Sequence, residues 1–215
     1  MDEHFRLTFF REFLRRPREV ASILPSSRFL EQRIVEVADV ARAETIVELG
    51  PGTGGTTRAI LRAMRDDARL LCIEINPRLC ACLRRIEDDR LIPHSGNAEQ
   101  IREALSAWRL DAPDAVISGI PFSAMSLTSA GRILEAVSAA LAPGGCFVTY
   151  QVSRRIQNLG RSFFPLAHVR TVLLNVPPVH VYRWTKPARR GPAWAASAAG
   201  QARRDAQARP HAILS

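Results

Sequence analysis

Three glycines at alternate positions, Gly50, Gly52 and Gly54, close a short apolar run that carries a carboxylate, Glu48, near its end. Glycine at such a turn reaches backbone conformations that a Cβ forbids, and it lets a ligand lie directly against the main chain. The segment Ile46-Val-Glu-Leu-Gly-Pro-Gly-Thr-Gly54 therefore points to a nucleotide-type ligand held at Gly50–Gly54, with Thr53 in the turn. A second acid, Glu74, stands at the tip of another apolar run, where a carboxylate can accept from both hydroxyls of a ribose. The glycine spacing is G-x-G-x-G, not the G-x-G-x-x-G of dinucleotide sites. No Lys-Ser/Thr pair follows, which argues against a P-loop phosphate cradle. Three later signals complete the set: Gly96-Asn97-Ala98, the loop Ser118-Gly119-Ile120-Pro121-Phe122, and Leu141-Ala-Pro-Gly-Gly145 ahead of the run Cys146–Gln151.

These residues need elements to hold them. The patterning predicts a buried strand over Thr45–Leu49, a helix over Thr56–Met64 and a strand over Arg69–Ile75. A short apolar stretch follows at 90–93, then a strand opening at Asp114 and another over Cys146–Gln151. A closing hairpin is expected at Val169–Val176 and Val179–Trp184, with Pro177-Pro178 as its turn. Ahead of the first strand, Ser26 or Ser27 is a good cap for a helix of about Phe29–Ala38. Strands alternating with helices imply an α/β fold with ligands beyond the carboxyl ends of the strands.

In this order and spacing, the five signals resemble the class I S-adenosylmethionine-dependent methyltransferases. The resemblance implies a Rossmann-like, seven-stranded sheet with helices on both faces and an N-terminal helical cover. It also implies S-adenosylmethionine as cofactor and S-adenosylhomocysteine as product. Glu48, Gly50, Gly52, Thr53 and Gly54 then lie along the methionine part of the cofactor. Glu74 and Ile75 meet the ribose and its surroundings, Asn97 and Ala98 the adenine, and Ser118 the methyl-transfer loop. Asn97 departs from the usual aspartate but keeps an acceptor in its amide oxygen.

Composition fits a globular protein. The chain has 215 residues and 47% apolar content, enough for one domain with a sizeable core. No apolar run reaches the length of a membrane-spanning helix, and the N-terminus does not read as a secretion signal. The spacing of Cys72, Cys80, Cys82 and Cys146 suits neither a zinc site nor a disulfide framework, so no metal is expected and a reducing cytoplasm is the simplest setting. The net charge is +9, and two thirds of it lies at the two ends. Residues 1–18 contribute +2 and residues 187–215 contribute +4. Basic arms imply an anionic partner. On a helical wheel of residues 5–16, Leu7, Phe9, Phe10, Phe13 and Leu14 gather opposite Arg11, Glu12 and Arg15. That is the pattern of a helix lying in a lipid interface, and equally of a lid that packs on the domain.

A wider set of segments is similar to the bacterial phospholipid N-methyltransferases: Pro17-x-x-Val-x-x-Ile-Leu-Pro-Ser-Ser27, Glu48–Gly54, Ser118–Phe122 and Val176-Pro-Pro-Val-His-Val-Tyr182. This likeness implies successive methylation of the amino group of phosphatidylethanolamine toward phosphatidylcholine. The protein would be cytoplasmic, peripheral on the inner face of the cell membrane, with an N-terminal helix touching an anionic surface. Ser26 and Ser27 become candidates for the carboxylate end of the cofactor. Gly119, Ile120, Pro121 and Phe122 would line the acceptor site. The rings of Phe122, Tyr150, Tyr182 and Trp184 could attract a cationic amine. Tyr150 could also offer its hydroxyl to the amine, which makes it the candidate catalytic residue. His180 joins the acceptor side, and Arg28, Arg154 and Arg155 are candidates for the lipid phosphate.

A rival acceptor is ribosomal-RNA adenine, because the adenine dimethyltransferases share the glycine turn and a related loop. Their loop opens with an asparagine that takes the base amino group, whereas this chain has Gly119. The expected organisation is a cover at 1–40, a methyltransferase domain at 41–186 and a basic, compositionally biased tail at 187–215.

Overall fold

The computed structural model describes residues 28–151, 155–164, 167–172 and 179–188. Ser26, Ser27 and Arg154 lie outside them, as do the whole N-terminal arm, the Pro177-Pro178 turn and nearly all of the tail. For Arg28 and Arg155 only the backbone is described.

The chain alternates strands and helices. Helix α1 (Arg28–Val37) precedes β1 (Thr45–Leu49), α2 (Gly55–Ala63), β2 (Arg69–Glu74) and α3 (Pro77–Leu83). Then come β3 (Leu91–Ser95), α4 (Ile101–Ala107), β4 (Ala115–Ser118), α5 (Leu127–Ala140) and β5 (Cys146–Gln151). Helix α6 (Arg155–Gly160), β6 (Ala167–Val172) and β7 (Val179–Thr185) close the order. The strands form one mixed sheet in the order β3-β2-β1-β4-β5-β7-β6. The first five run parallel, and β7 lies antiparallel between β5 and β6. The order reverses between β1 and β4, the kind of switch point beyond whose carboxyl ends open α/β sheets bind ligands.

β1 is buried along its whole length, as a central parallel strand covered on both faces must be. Successive side chains point to opposite faces. Val47, Leu49, Val116 and Phe147 face one core, closed by α4, α5 and α6. Ile46, Cys72, Ile117 and Val148 face the other, closed by α1, α2 and Leu83 of α3. Asn76 caps α3, accepting from the Arg78 N–H at 2.9 Å, with Pro77 in the first turn. Ser126 caps α5 in the same way through the Ser129 N–H.

Two boundaries differ from expectation. β2 ends at Glu74, leaving Ile75 outside the strand, where the Glu74 carboxylate takes the Asn76 N–H and Asn76 caps α3. β6 begins at Ala167 instead of 169, with Ala167 paired to Trp184 of β7, and residues 173–176 of the expected strand lie outside the described residues.

Candidate functional site

The glycine turn follows β1 directly. Gly50, Gly52 and Gly54 have φ of 67°, 59° and 83°, so all three occupy the left-handed region that a Cβ strains. A Cβ at Gly52 would meet nothing within 4 Å, so this part of the turn faces open space. The turn is braced on three sides. The Gly50 N–H donates to the Ile73 carbonyl at 3.0 Å, and the Gly54 N–H to the Pro51 carbonyl at 3.0 Å. The Arg58 guanidinium donates to the carbonyls of Thr53 and Gly54 at 3.2 and 3.0 Å. Gly54 then caps α2.

Glu74 joins this turn to β2. One carboxylate oxygen accepts from the Gly52 N–H at 3.1 Å and the other from the Asn76 N–H at 2.9 Å. Each oxygen keeps acceptor capacity for a hydroxyl. Burial raises the carboxyl above its usual range, against the pull of the backbone donors of Asn76, Gly52 and Ile75. Beside it, the apolar side chain of Ile75 is 55% exposed. Asn97 Oδ1 accepts from the Glu99 N–H at 3.1 Å, which caps the single turn after β3 and leaves a second lone pair on that oxygen.

Glu48 does not open onto this surface. It is 1% exposed, and its Oε2 accepts from the Thr57 hydroxyl at 2.6 Å and the Cys72 thiol at 3.3 Å. Here the carboxyl ties the first turn of α2 to the sheet beneath the glycines. Burial pushes its pKa up to about 7.

The loop after β4 approaches the same turn from the other side. The Gly119 N–H donates to the Leu49 carbonyl, and Ser118 Oγ accepts from the Ile120 N–H at 3.2 Å. The Ile120 carbonyl accepts from the Phe122 N–H and from Gln151 Nε2, each at 2.9 Å. Thr149 Oγ1 donates to the Ser118 carbonyl at 3.0 Å and receives Gln151 Nε2 at 3.0 Å. Tyr150 points to the opposite face of the sheet. Its hydroxyl lies 3.3 Å from Thr56 Oγ1 on α2, and it stands where a Cβ on Gly119 would come within 2.8 Å.

Several expected contact residues belong to the core instead. Phe122 is 4% exposed and sets its edge against Phe147, at 6.4 Å and 87°. Trp184 stacks between Phe147 and Tyr182, 5.5 Å from each, and the two β7 rings are fully buried. These rings have apolar partners and offer no open face to a cation. Ala98 and Ser118 are buried as well. His180 is half-buried and pairs in register with Gln151, which brings it to the active end of β5. Gln151, Thr56, Thr57 and Arg58 were not foreseen. The legible signals were the two hydroxyls in the first turn of α2 and a polar residue closing β5.

Among the described residues no group of His, Cys, Asp and Glu is placed to hold a metal, and no helix is long and apolar enough to cross a membrane. An open turn of left-handed glycines, a carboxylate with spare acceptors and an exposed apolar residue suit a nucleoside with an attached chain.

The structure of an O-methyltransferase from Bacillus cereus in complex with S-adenosylhomocysteine matches at a TM-score of 0.63 and 14% identity, covering 81% of this chain and 90% of that one. The fold is shared with methyltransferases of known structure, including an N-methyltransferase from Bradyrhizobium japonicum in complex with S-adenosylhomocysteine at a TM-score of 0.58 and 14% identity, covering 75% of this chain and 89% of that one. No family model matches the chain. An ornithine lipid N-methyltransferase from Singulisphaera acidiphila is 27% identical over 179 residues, 81% of this chain and 92% of that protein. A ribosomal RNA small subunit methyltransferase A from Nocardia farcinica is 33% identical over 96 residues. That match covers 43% of this chain and 32% of the relative.

Proposed function

We propose that this protein methylates the primary amine of a phospholipid, phosphatidylethanolamine, with S-adenosylmethionine as donor. The observation that carries the reading is the convergence of the open glycine turn and Glu74 with the Gly119 loop at the switch point between β1 and β4. Likeness to a lipid N-methyltransferase along 92% of that relative's length supports an amino-lipid acceptor over an RNA base.

The cofactor would lie on Gly50–Gly54, with its ribose on Glu74 and its base beside Ile75 and Asn97. When bound it supplies a sulfonium methyl, which a neutral amine nitrogen takes as the carbon–sulfur electron pair departs on sulfur. The protein's work is positioning. Arg58 and Glu48 keep the turn in shape, and Gln151 fixes the loop that borders the acceptor. The seven-stranded class I sheet and an N-terminal helical cover at residues 1–40 complete the reading. The aromatic and basic N-terminal arm would hold the protein on the inner face of the cell membrane, where arginines near anionic lipid contribute about 1 kcal/mol each.

Expression of the full chain in a bacterial host that lacks phosphatidylcholine, followed by lipid mass spectrometry, tests the acceptor. Mono-, di- or trimethylated phosphatidylethanolamine is expected. Methylated ornithine lipid in a host that makes it would move the acceptor to that lipid, and unmethylated lipid with methylated ribosomal adenine would refute the reading. The arm is tested separately: the chain lacking residues 1–18 should no longer sediment with anionic liposomes, and retained sedimentation would assign membrane attachment elsewhere.

A further inference from the structure

Residue 119 and residue 150 compete for one volume. A Cβ on Gly119 would lie 2.8 Å from the Tyr150 hydroxyl oxygen and 2.8 Å from the Gly50 carbonyl oxygen, closer than real Cβ contacts come. Gly119 has no positive φ, so its backbone does not demand glycine; the space does. The hydroxyl is placed by Thr56, 3.3 Å away in the first turn of α2, the helix that Gly54 of the cradle caps. The phenol is thereby registered to the glycine turn on one side and to the Gly119 loop on the other.

We propose that Gly119 and Tyr150 form one acceptor-selecting device. The bare α-carbon at 119 admits the Tyr150 hydroxyl, and that hydroxyl, in place of a side chain at 119, accepts an N–H of an aliphatic primary amine and aims its nitrogen. This inference rests on the function proposed above.

The hydroxyl orients the amine and does not deprotonate it. Burial pushes the phenol up to about 12, and Glu48 and Glu31, the carboxylates that act on it, raise it too. It therefore stays a neutral hydroxyl, with Thr56 on one side and an acceptor lone pair for the amine on the other. The amine's extra proton goes to water before the nitrogen reacts. A planar base amine that requires an amide acceptor at 119 finds none here.

The test uses the full chain as wild type, Y150F, G119A and G119A/Y150F. Thermal midpoints are measured with and without saturating S-adenosylhomocysteine. Methyl transfer is measured to phosphatidylethanolamine vesicles, to ornithine-lipid vesicles and to an adenine-bearing RNA hairpin. Y150F should keep the wild-type rise in midpoint with S-adenosylhomocysteine yet transfer to amino-lipid vesicles at least tenfold more slowly. The pH at which its rate rises should be unchanged. G119A should melt lower than wild type, and the double variant should regain part of that loss because one of the two collisions is gone. If G119A does not fold, recovery of folded protein in the double variant gives the same information.

Equal transfer by Y150F and wild type overturns the inference. So does a shifted pH profile in Y150F, which would make the phenol the base, or a double variant no better than G119A. Transfer by wild type to RNA and not to lipid overturns the acceptor class. A wild type whose midpoint ignores S-adenosylhomocysteine refutes the cofactor reading of the preceding subsection, which the three overturning results on the variants leave standing.

Discussion

Glu48 gives the sharpest quantitative expectation. Its carboxyl is sealed beneath the glycine turn against Thr57 and Cys72, and burial moves its pKa from 4.5 to about 7. A folded-state pKa above the unfolded one means that the folded protein binds the extra proton more tightly. The associated stability is fully present below pH 4.5 and is lost as pH rises through about 7. At about 1.4 kcal/mol per tenfold change in proton affinity, the loss comes to roughly 3–4 kcal/mol at most. Glu48→Gln keeps the shape and a carbonyl acceptor for Thr57 but cannot ionise. Its stability relative to wild type should therefore rise with pH, from near parity or a slight deficit at pH 5 to a gain approaching about 3 kcal/mol at pH 8. Urea unfolding of the cofactor-free proteins at pH 5, 6, 7 and 8, with m-values compared, measures this. A difference between variant and wild type that is the same at pH 5 and pH 8 would show that Glu48 does not titrate in the fold as its burial requires.

Two further expectations concern the cradle and the core. Glu74→Ala removes the acceptor that holds the N–H groups of Gly52 and Asn76. A hydrogen bond to a charged group contributes about 1.5–3 kcal/mol, so S-adenosylhomocysteine affinity in calorimetry should fall by roughly 10- to 100-fold; unchanged affinity would remove Glu74 from the site. Gly160→Ala places a Cβ 2.7 Å from Trp184 Cζ2, within the stack of Phe147, Trp184 and Tyr182. Overpacking of this kind costs about 1–3 kcal/mol, so the thermal midpoint should drop by several degrees. An unchanged midpoint would mean that the stack yields freely.

Elements with local causes were legible in the chain alone. The apolar run of β1 stops at Gly50 because the turn needs left-handed backbone, and the spans of β1 and β5 follow from runs bounded by glycine and polar residues. Glu74 was legible as the acid at the tip of β2 for the same reason. What each side chain meets became visible with the three-dimensional packing. A period of two shows that Glu48 and Val47 face opposite sides of the sheet, but not that α2 would bring Thr57 over one of them. Phe122, Tyr182 and Trp184 have the composition of an open cation site, yet they are core, because Phe147 and its neighbours pack against them from distant parts of the chain. Gly119 read as a missing acceptor. Thirty-one residues later the chain supplies Tyr150 to the same spot, an approach fixed by the parallel register of β4 and β5 and invisible to any local pattern. Burial and encounter are set by long-range packing, whereas turns and strand ends are set by backbone sterics within a few residues.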